Sequence, residues 1–419
     1  MRIIHTADLH LGVSSFPGID PHTGLKARWI DHINAFRQVV DFAVQNDVDF
    51  FIMAGDIFHR TNPTPDLYKL LGAELKRLVD ARIHVIMIPG NHDRPKTLKR
   101  ATPLDTFSVF DHDYIHMSKN PATLNLTGKS GEKATFILFP FVHQIFFVEK
   151  LKEKLSPDEL EKLNEEQERE AYVDSINKTI KKKLLEKAED SKFTFLVAHL
   201  TVSGAKFGAE RRFIYYHEWS ILPYQLAEPG IDYIALGHIH KHQEVASPNG
   251  IPIVYSGSLE RVDFSESKED KGFILIETHE KDLSWEFIKV RTRPMTELLY
   301  DVKDLGQDLE RINNDLRKRN LRNALVKIIL RGESSIINKI DTRNFEKFLE
   351  GVFYCRFGRI FTDQNDSSAK FGSQEFSQDL TPDKALKKYL EKEKMPKELR
   401  EKLLKLGLEI IQEVIGGIL

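Results

Sequence analysis

Residues 83–93 of this 419-residue chain read Ile-His-Val-Ile-Met-Ile-Pro-Gly-Asn-His-Asp. The apolar run 83–88 is short and continuous, as is typical of a strand buried on both faces of a sheet. The run stops at a proline and a glycine, and three polar residues follow. The segment therefore predicts a buried strand that delivers Asn91, His92 and Asp93 to one edge of a sheet.

The same pattern recurs along the chain to about residue 280. Further apolar runs that end at polar clusters occur at 2–5, 48–53, 135–142, 193–198, 232–236, 252–255 and 272–277. Stretches 28–46 and 65–81 are predicted helices, and the charged stretch 149–190 is predicted as a helical insertion on the domain surface. Strands that alternate with helices indicate an α/β fold.

The pattern changes after the first domain, which is expected to span residues 1–283. A smaller α/β unit is predicted at 284–361, with strands at 284–290, 324–330 and 353–360 and helices at 304–320 and 343–351. Residues 362–380 are polar and poor in aliphatic side chains, which predicts a linker. Two amphipathic segments flank Met395-Pro396, so residues 381–419 are expected to form a helix-loop-helix.

Composition excludes several classes of protein. The 61 Lys and Arg nearly balance the 63 Asp and Glu, for a net charge of -2, so the chain is neither a uniformly basic nucleic-acid coat nor an acidic disordered protein. The single cysteine, Cys355, excludes an internal disulfide framework and a zinc site built on several thiolates. No apolar run approaches the roughly 18 residues of a membrane span, so we expect a cytoplasmic protein with no membrane partner.

Histidine, carboxylate and asparagine side chains follow the predicted strands. In chain order the clusters are Asp8-x-His10, Gly55-Asp56-Ile57-Phe58-His59, Gly90-Asn91-His92-Asp93, His199 and Gly237-His238-x-His240. Residues i and i+2 of an extended backbone project to the same side, so each such pair can serve one cluster of ligands. Imidazole nitrogen mixed with carboxylate and amide oxygen suits Mn²⁺, Fe²⁺ or Zn²⁺ better than Ca²⁺ or Mg²⁺ alone.

This order of motifs resembles the calcineurin-like metallophosphoesterase superfamily over roughly residues 1–280. The variants HTADLHLG, AGDIFHR, PGNHD, HLTVSGA, LGHIHKHQ and YSGSLER are similar to the SbcD nuclease family, the bacterial branch of the Mre/Rad DNA break-repair system. The resemblance implies layered sheets flanked by helices, with the nuclease domain at 1–283 and a capping domain at 284–361. It also implies that residues 381–419 dock on an SbcC-type, SMC-like ATPase.

The resemblance further implies two metal ions, with Mn²⁺ expected and Fe²⁺, Zn²⁺ or Mg²⁺ as possible substitutes. One ion would be held by Asp8, His10 and His240, the other by Asn91, His199 and His238, and Asp56 would bridge both. His92 would act on the substrate and His59 would support nuclease activity. Asp93 would orient His92 or a neighbouring ligand.

The implied activity is Mn²⁺-dependent 3′ to 5′ exonuclease and structure-specific endonuclease cleavage of DNA in double-strand-break repair. Basic residues near aromatic ones suit contacts to a DNA backbone, although such clusters are also ordinary on protein surfaces. The candidates are Arg94, Lys96, Arg211 and Arg212. Apolar side chains at 65–81 and 96–110 predict a homodimer, unless both segments pack on the chain's own core.

Two other functions stay open on the sequence alone. One is a phosphoesterase for small molecules or phosphoproteins, although about 140 residues after the first domain exceed what such an enzyme requires. Alternatively, its main role is to tether DNA and regulate an ATPase through the apolar face of 381–419, with the nuclease site secondary.

Overall fold

The structure is a computed structural model that describes residues 1–95, 100–109, 112–208, 218–245, 250–280, 282–362, 386–387, 390 and 400–408. The chain divides into two compact units. One comprises Met1–Leu298, Lys318–Ile328 and Glu346–Arg356, and the other comprises Leu299–Arg317, Ile329–Phe345 and Phe357–Leu419.

Strands and helices alternate through most of the described chain. The strands are β1 (Arg2–Thr6), β2 (Phe50–Ala54), β3 (His84–Ile88), β4 (Ile115–Met117), β5 (Ala122–Thr127), β6 (Lys133–Phe139), β7 (Phe193–His199), β8 (Tyr233–Gly237), β9 (Gln243–Val245), β10 (Ile253–Tyr255), β11 (Gly272–Thr278), β12 (Leu283–Lys289), β13 (Met295–Asp301), β14 (Leu325–Gly332) and β15 (Tyr354–Phe361). The α-helices are α1 (Ala27–Gln45), α2 (Pro65–Asp80), α3 (Asp105–Ser108), α4 (Gln144–Lys152), α5 (Pro157–Lys162), α6 (Glu165–Leu184), α7 (Pro223–Leu226), α8 (Leu305–Lys318) and α9 (Ser334–Ile337). Short 3₁₀ helices lie at Phe264–Glu266 and Thr342–Phe348.

Two six-stranded sheets carry the clusters found in the sequence. The first has the order β12-β11-β1-β2-β3-β4, in which β1 to β4 are parallel. The second has the order β5-β6-β7-β8-β10-β9, in which β6, β7, β8 and β10 are parallel. Because parallel strands end at the same edge of a sheet, the clusters after β1, β2, β3, β7 and β8 gather at the carboxyl ends of the strands.

The two sheets stack with an aromatic and aliphatic core between them. Phe50 of the first sheet contacts Phe136 of the second at a ring-centroid distance of 5.0 Å, and Phe136 stacks on Phe195 at 5.2 Å. Helices α1 and α2 cover the outer face of the first sheet, and α6 covers that of the second. The sandwich of sheets flanked by helices confirms the predicted α/β fold with layered sheets.

The strand predicted at 284–290 is present as β12 but belongs to the first large sheet. Strand β12 pairs antiparallel with β11 at the edge of the first sheet, rather than with the smaller unit. The reason is that Leu283, Trp285 and Phe287 pack against the core between the two large sheets. The remaining late strands, β13, β14 and β15, form a separate three-stranded sheet.

Other predicted elements are found with changed bounds. The charged stretch 149–190 contains helices α5 and α6 and the end of α4, and the helix expected at 343–351 is a 3₁₀ helix at Thr342–Phe348. Of the predicted linker, 362–380, only Thr362 lies within the described residues. None of the helices in the described part of the chain is both long and apolar enough to cross a membrane.

We predict that Phe136→Ala lowers the free energy of unfolding by about 3–5 kcal/mol, because it opens a cavity between the sheets. The side chain is fully buried and contacts aromatic rings from both layers. Denaturant unfolding followed by circular dichroism measures the change. Tyr224→Ala is the control, since that side chain is 54% exposed, and it is expected to change stability by less than about 0.5 kcal/mol.

Candidate metal centre

Tight turns deliver the polar side chains where the strands end. Asp8, His10 and Asp56 have φ angles of +51°, +46° and +49°, and that of His238 is +100°. This left-handed backbone costs roughly 1–2 kcal/mol for a residue other than glycine. Strain of this kind persists where the surrounding structure holds it, and it clusters at functional sites.

The first donor set, Asp8, His10 and His240, is buried. The Nε2 atoms of His10 and His240 face each other at 2.8 Å. Burial, reinforced by the neighbouring His240, lowers the pKa of His10 well below its usual value, so its imidazole is neutral at neutral pH. The carboxylate of Asp8 accepts the backbone N–H of His238 at 3.0 Å from each oxygen, which ties β1 to the turn after β8.

The second donor set consists of Asn91, His199 and His238. The Oδ1 atom of Asn91 lies 3.0 Å from both His199 Nε2 and His238 Nδ1. His199 donates its Nδ1–H to the backbone carbonyl of Ala54 at 2.8 Å, which turns Nε2 toward Asn91.

Asp56 stands between the two donor sets. Its Oδ2 is 3.7 Å from His10 Nε2 and 3.5 Å from His199 Nε2. Burial raises the pKa of Asp56, but the imidazoles of His199 and His92 outweigh burial and hold that pKa well below its usual range. The side chain is therefore an anion at the position that a shared ligand of two ions requires.

The chemistry of these donors fits two divalent cations. Burial lowers the pKa of His199, yet the Asp56 carboxylate outweighs burial and raises it to about 9. Without a metal ion, His199 thus carries a proton on the nitrogen that faces Asp56 and Asn91. Binding of a cation to that nitrogen would release the proton. The seven side chains Asp8, His10, Asp56, Asn91, His199, His238 and His240 would hold the ions.

Two glutamates that the sequence analysis missed contact the outer nitrogens of the paired histidines. Glu218 Oε2 is 2.7 Å from His238 Nε2, and Glu266 Oε1 is 2.8 Å from His240 Nδ1. Glu266 is fully buried and also pairs with the buried Lys271 at 2.8 Å. Neither glutamate belongs to a motif with regular spacing, so only the three-dimensional structure identifies them.

His59 and His92 lie beside the first donor set. Their rings stack at a centroid distance of 5.0 Å, and the ring of His92 is 4.8 Å from that of His10. His92 donates its backbone N–H to Asp56 Oδ1 at 2.8 Å and its Nδ1–H to the carbonyl oxygen of His59 at 3.0 Å. Both rings are partly exposed and next to the donor atoms.

Asp93 contacts backbone atoms near the bridging residue. Its carboxylate accepts the N–H groups of Ile57, Phe58 and Gly90 at 3.0, 2.7 and 3.1 Å. Burial, with the charge of Asp56 next, raises the pKa of Asp93 to about 7. Asp93 thereby connects the loop that carries Asp56 to the turn that carries Asn91.

Of the candidate DNA contacts, only Arg94 is within the described residues. Its guanidinium donates to the backbone carbonyl of Phe141, and its side chain is partly buried. Lys96, Arg211 and Arg212 lie outside the described residues.

Glycines allow the close approach of the loops. A Cβ atom on Gly90 would lie 2.1 Å from Asp56 Oδ1 and 2.4 Å from the backbone nitrogen of the same residue. A Cβ atom on Gly55, whose φ is +94°, would lie 2.2 Å from His199 Nδ1. These contacts leave no room for a side chain larger than hydrogen at either position.

We predict that Gly90→Ala loses Mn²⁺ binding, because the new methyl group displaces Asp56 from between the donor sets. Equilibrium dialysis followed by elemental analysis measures the bound metal. Gly72→Ala on α2 is the control, since a Cβ there meets nothing within 4 Å, and it should keep full metal content. Unchanged Mn²⁺ content in Gly90→Ala would contradict the proposed packing of the site.

Comparison with known proteins gives a family match and likenesses to solved structures. Residues 1–242 match the family described as Calcineurin-like phosphoesterase, a range that includes both donor sets from Asp8 to His240. The crystal structure of a dimetal phosphatase from Danio rerio is similar over 68% of this chain and 95% of that chain. Its sequence identity to this chain is 11%, and the TM-score is 0.40.

Proposed function

Because the chain belongs to the calcineurin-like phosphoesterase family, and is thus a metal-dependent hydrolase, we propose that it cleaves DNA as an SbcD-type nuclease. The observation that carries the two-metal part of the proposal is the anionic Asp56 between the two donor sets. When bound, two divalent cations, which we propose to be Mn²⁺, activate water and neutralise the charge of a phosphodiester.

The side chains of the site have separate roles as metal ligands and as a proton donor. Asp8, Asp56 and Asn91 supply oxygen donors, and the histidines of the two sets supply nitrogen. His92 keeps its Nδ1–H on the carbonyl of His59, so that when the ring is doubly protonated its second proton is on Nε2 and can be given to the leaving sugar oxygen. The adjacent ring of His59 restricts how His92 turns.

We predict that His92→Ala binds two Mn²⁺ ions but cleaves duplex DNA at least about 100-fold more slowly, because it lacks the proton donor. Release of nucleotides from an end-labelled duplex measures the rate, and elemental analysis measures the metal. His112→Ala replaces an exposed histidine outside the site and should cleave at the wild-type rate. If metal content falls in step with activity in His92→Ala, His92 is a ligand and the division of roles is wrong.

The preference for DNA over small phosphoesters rests on the sequence resemblance and on the pair His59 and His92 beside the first donor set. Hydrolysis of a DNA duplex is therefore expected to exceed that of nucleotide diesters and of phosphoprotein at equal concentrations. A chain that turns over nucleotide diesters but not duplex DNA would favour the small-substrate phosphoesterase instead.

We further propose that the C-terminal helices bind an SbcC-type ATPase. Within the described residues, Gly407 approaches Leu386 so closely that a Cβ on Gly407 would lie 2.5 Å from the leucine side chain. Leu403 and Leu406 are 38% and 53% exposed, which supports an apolar face that a partner covers. The tethering function proposed as an alternative uses this same face.

We predict that deletion of 381–419 abolishes ATPase binding and leaves Mn²⁺-dependent cleavage intact. The double variant Leu403→Asp with Leu406→Asp should also lose binding, since both exposed leucines would become charged. Lys402→Asp with Lys405→Asp is the matched control and should bind. Co-purification with the ATPase measures the interaction, and an inactive deletion variant would show that the segment is needed by the nuclease itself.

A homodimer through 65–81 and 96–110 is also proposed. Val109 is 77% exposed and supports it, whereas Leu67, Leu71 and Leu75 pack in the chain's own core. The apolar surface is therefore smaller than the leucine content suggests, and residues 96–99 and 110 are outside the described residues.

We predict a dimeric mass by light scattering at tens of micromolar and a monomeric mass for Val109→Glu, because a charge in the contact is costly. Val44→Glu, on the exposed surface of α1, is the control and should remain dimeric. A monomeric wild type would contradict the proposal.

The proposed compartment is the cytoplasm. The lone Cys355 is partly buried, and burial raises the pKa of its thiol to about 11, so it is mostly protonated and unreactive. This is compatible with a reducing environment, and fractionation of cells that express the chain would test it.

A further inference from the structure

The paired histidines after β8 present opposite ring nitrogens to the two donor sets. His238 turns Nδ1 toward Asn91 Oδ1 at 3.0 Å, whereas His240 turns Nε2 toward His10 Nε2 at 2.8 Å. The two residues are only two positions apart, and each ring could in principle rotate or change tautomer. Some other group must therefore fix which nitrogen faces inward.

Glu218 supplies that group for His238. Its Oε2 lies 2.7 Å from His238 Nε2, and the hydroxyl of Thr201 donates to the same oxygen at 3.1 Å. A carboxylate only accepts hydrogen bonds, so Nε2 of His238 carries a hydrogen, and in the neutral ring, the form that binds a metal ion, Nδ1 carries the lone pair. The lone pair then faces the second donor set.

Glu266 does the same for His240 on the opposite ring nitrogen. It accepts from His240 Nδ1 at 2.8 Å, so Nε2 keeps the lone pair that faces the first donor set. Lys271 holds Glu266 at 2.8 Å and donates to the backbone carbonyl of His240 at 3.0 Å. A fully buried ion pair can often be replaced with apolar residues without loss of stability. The presence of Glu266 and Lys271 is therefore better explained by their contacts to His240 than by a contribution to folding.

We propose that Glu218 and Glu266 are positioning residues that fix which nitrogen His238 and His240 present, and thereby assign the two histidines to separate metal ions. The inference rests on the proposed two-metal function and adds two residues to it. Outer carboxylates of this kind also raise the basicity of a ligating imidazole, and their loss typically weakens metal binding about 10–100-fold.

Metal binding by the full chain tests the proposal without measuring catalysis. Equilibrium dialysis against Mn²⁺ should give two ions on the wild type. Glu218→Ala should lower the affinity for one ion about 10–100-fold and leave the affinity for the other unchanged. Glu218→Gln keeps a carbonyl acceptor for His238 Nε2–H and should bind within a few-fold of the wild type.

Matched variants separate positioning from general loss of charge. Glu228→Ala removes a carboxylate of comparable burial that binds Asn177 and Lys181, and it should bind both ions normally. For the other histidine, Glu266→Ala and Glu269→Ala each remove one carboxylate from Lys271, but only Glu266 contacts His240. We expect weaker binding of one ion in Glu266→Ala and none of that loss in Glu269→Ala.

A double-mutant cycle shows whether Glu218 acts through His238. If it does, adding Glu218→Ala to His238→Ala causes no further loss of Mn²⁺ affinity, because the histidine that Glu218 positions is already missing. Wild-type affinity for both ions in Glu218→Ala, or an additive loss in the double variant, would overturn the inference. Should Glu218→Ala unfold, the comparison of Glu266→Ala with Glu269→Ala decides in the same way.

The result also distinguishes this inference from the proposed function. A wild type that binds two ions but leaves DNA intact contradicts the nuclease and not the role of the glutamates. A wild type with two ions and active nuclease, but with no effect of either glutamate, contradicts the glutamates alone. A wild type that binds no Mn²⁺ contradicts both.

Discussion

The buried carboxylate of Asp56 is the constraint on which the rest of this structure depends. An anion out of contact with water is costly unless positive charge faces it, and here imidazoles from both donor sets surround it. In the chain alone, a proton on His199 supplies part of that charge. Two divalent cations would supply more positive charge than that proton. The need to balance the charge of Asp56 therefore underlies both the electrostatics of the site and its proposed chemistry.

Several features of the backbone follow from holding Asp56 in place. The left-handed conformations of Asp8, His10, Asp56 and His238 concentrate strain at the strand ends. Asp93 fixes the Asp56 loop through three backbone hydrogen bonds, and Gly90 leaves room for the carboxylate. The rigid aromatic core between the sheets supports these loops, because close-packed interiors resist displacement.

The sequence predicts the sheets and the gathering of the candidate side chains at one edge, because both follow one rule. Continuous apolar runs form the parallel strands, and the residues after each run lie at a common edge. The edge strand β12 was misassigned, since the alternation of Leu283, Trp285 and Phe287 is equally compatible with either sheet. Glu218 and Glu266 were missed because they are 20 and 26 residues from the histidines they contact, without periodic spacing.

Diffraction at the manganese absorption edge from crystals of the Mn²⁺-loaded chain tests the account most directly. The account predicts two anomalous peaks. One is bounded by Asp8, His10 and His240, the other by Asn91, His199 and His238, and both contact Asp56. A single peak, or two peaks that do not share Asp56, would contradict the two-metal site.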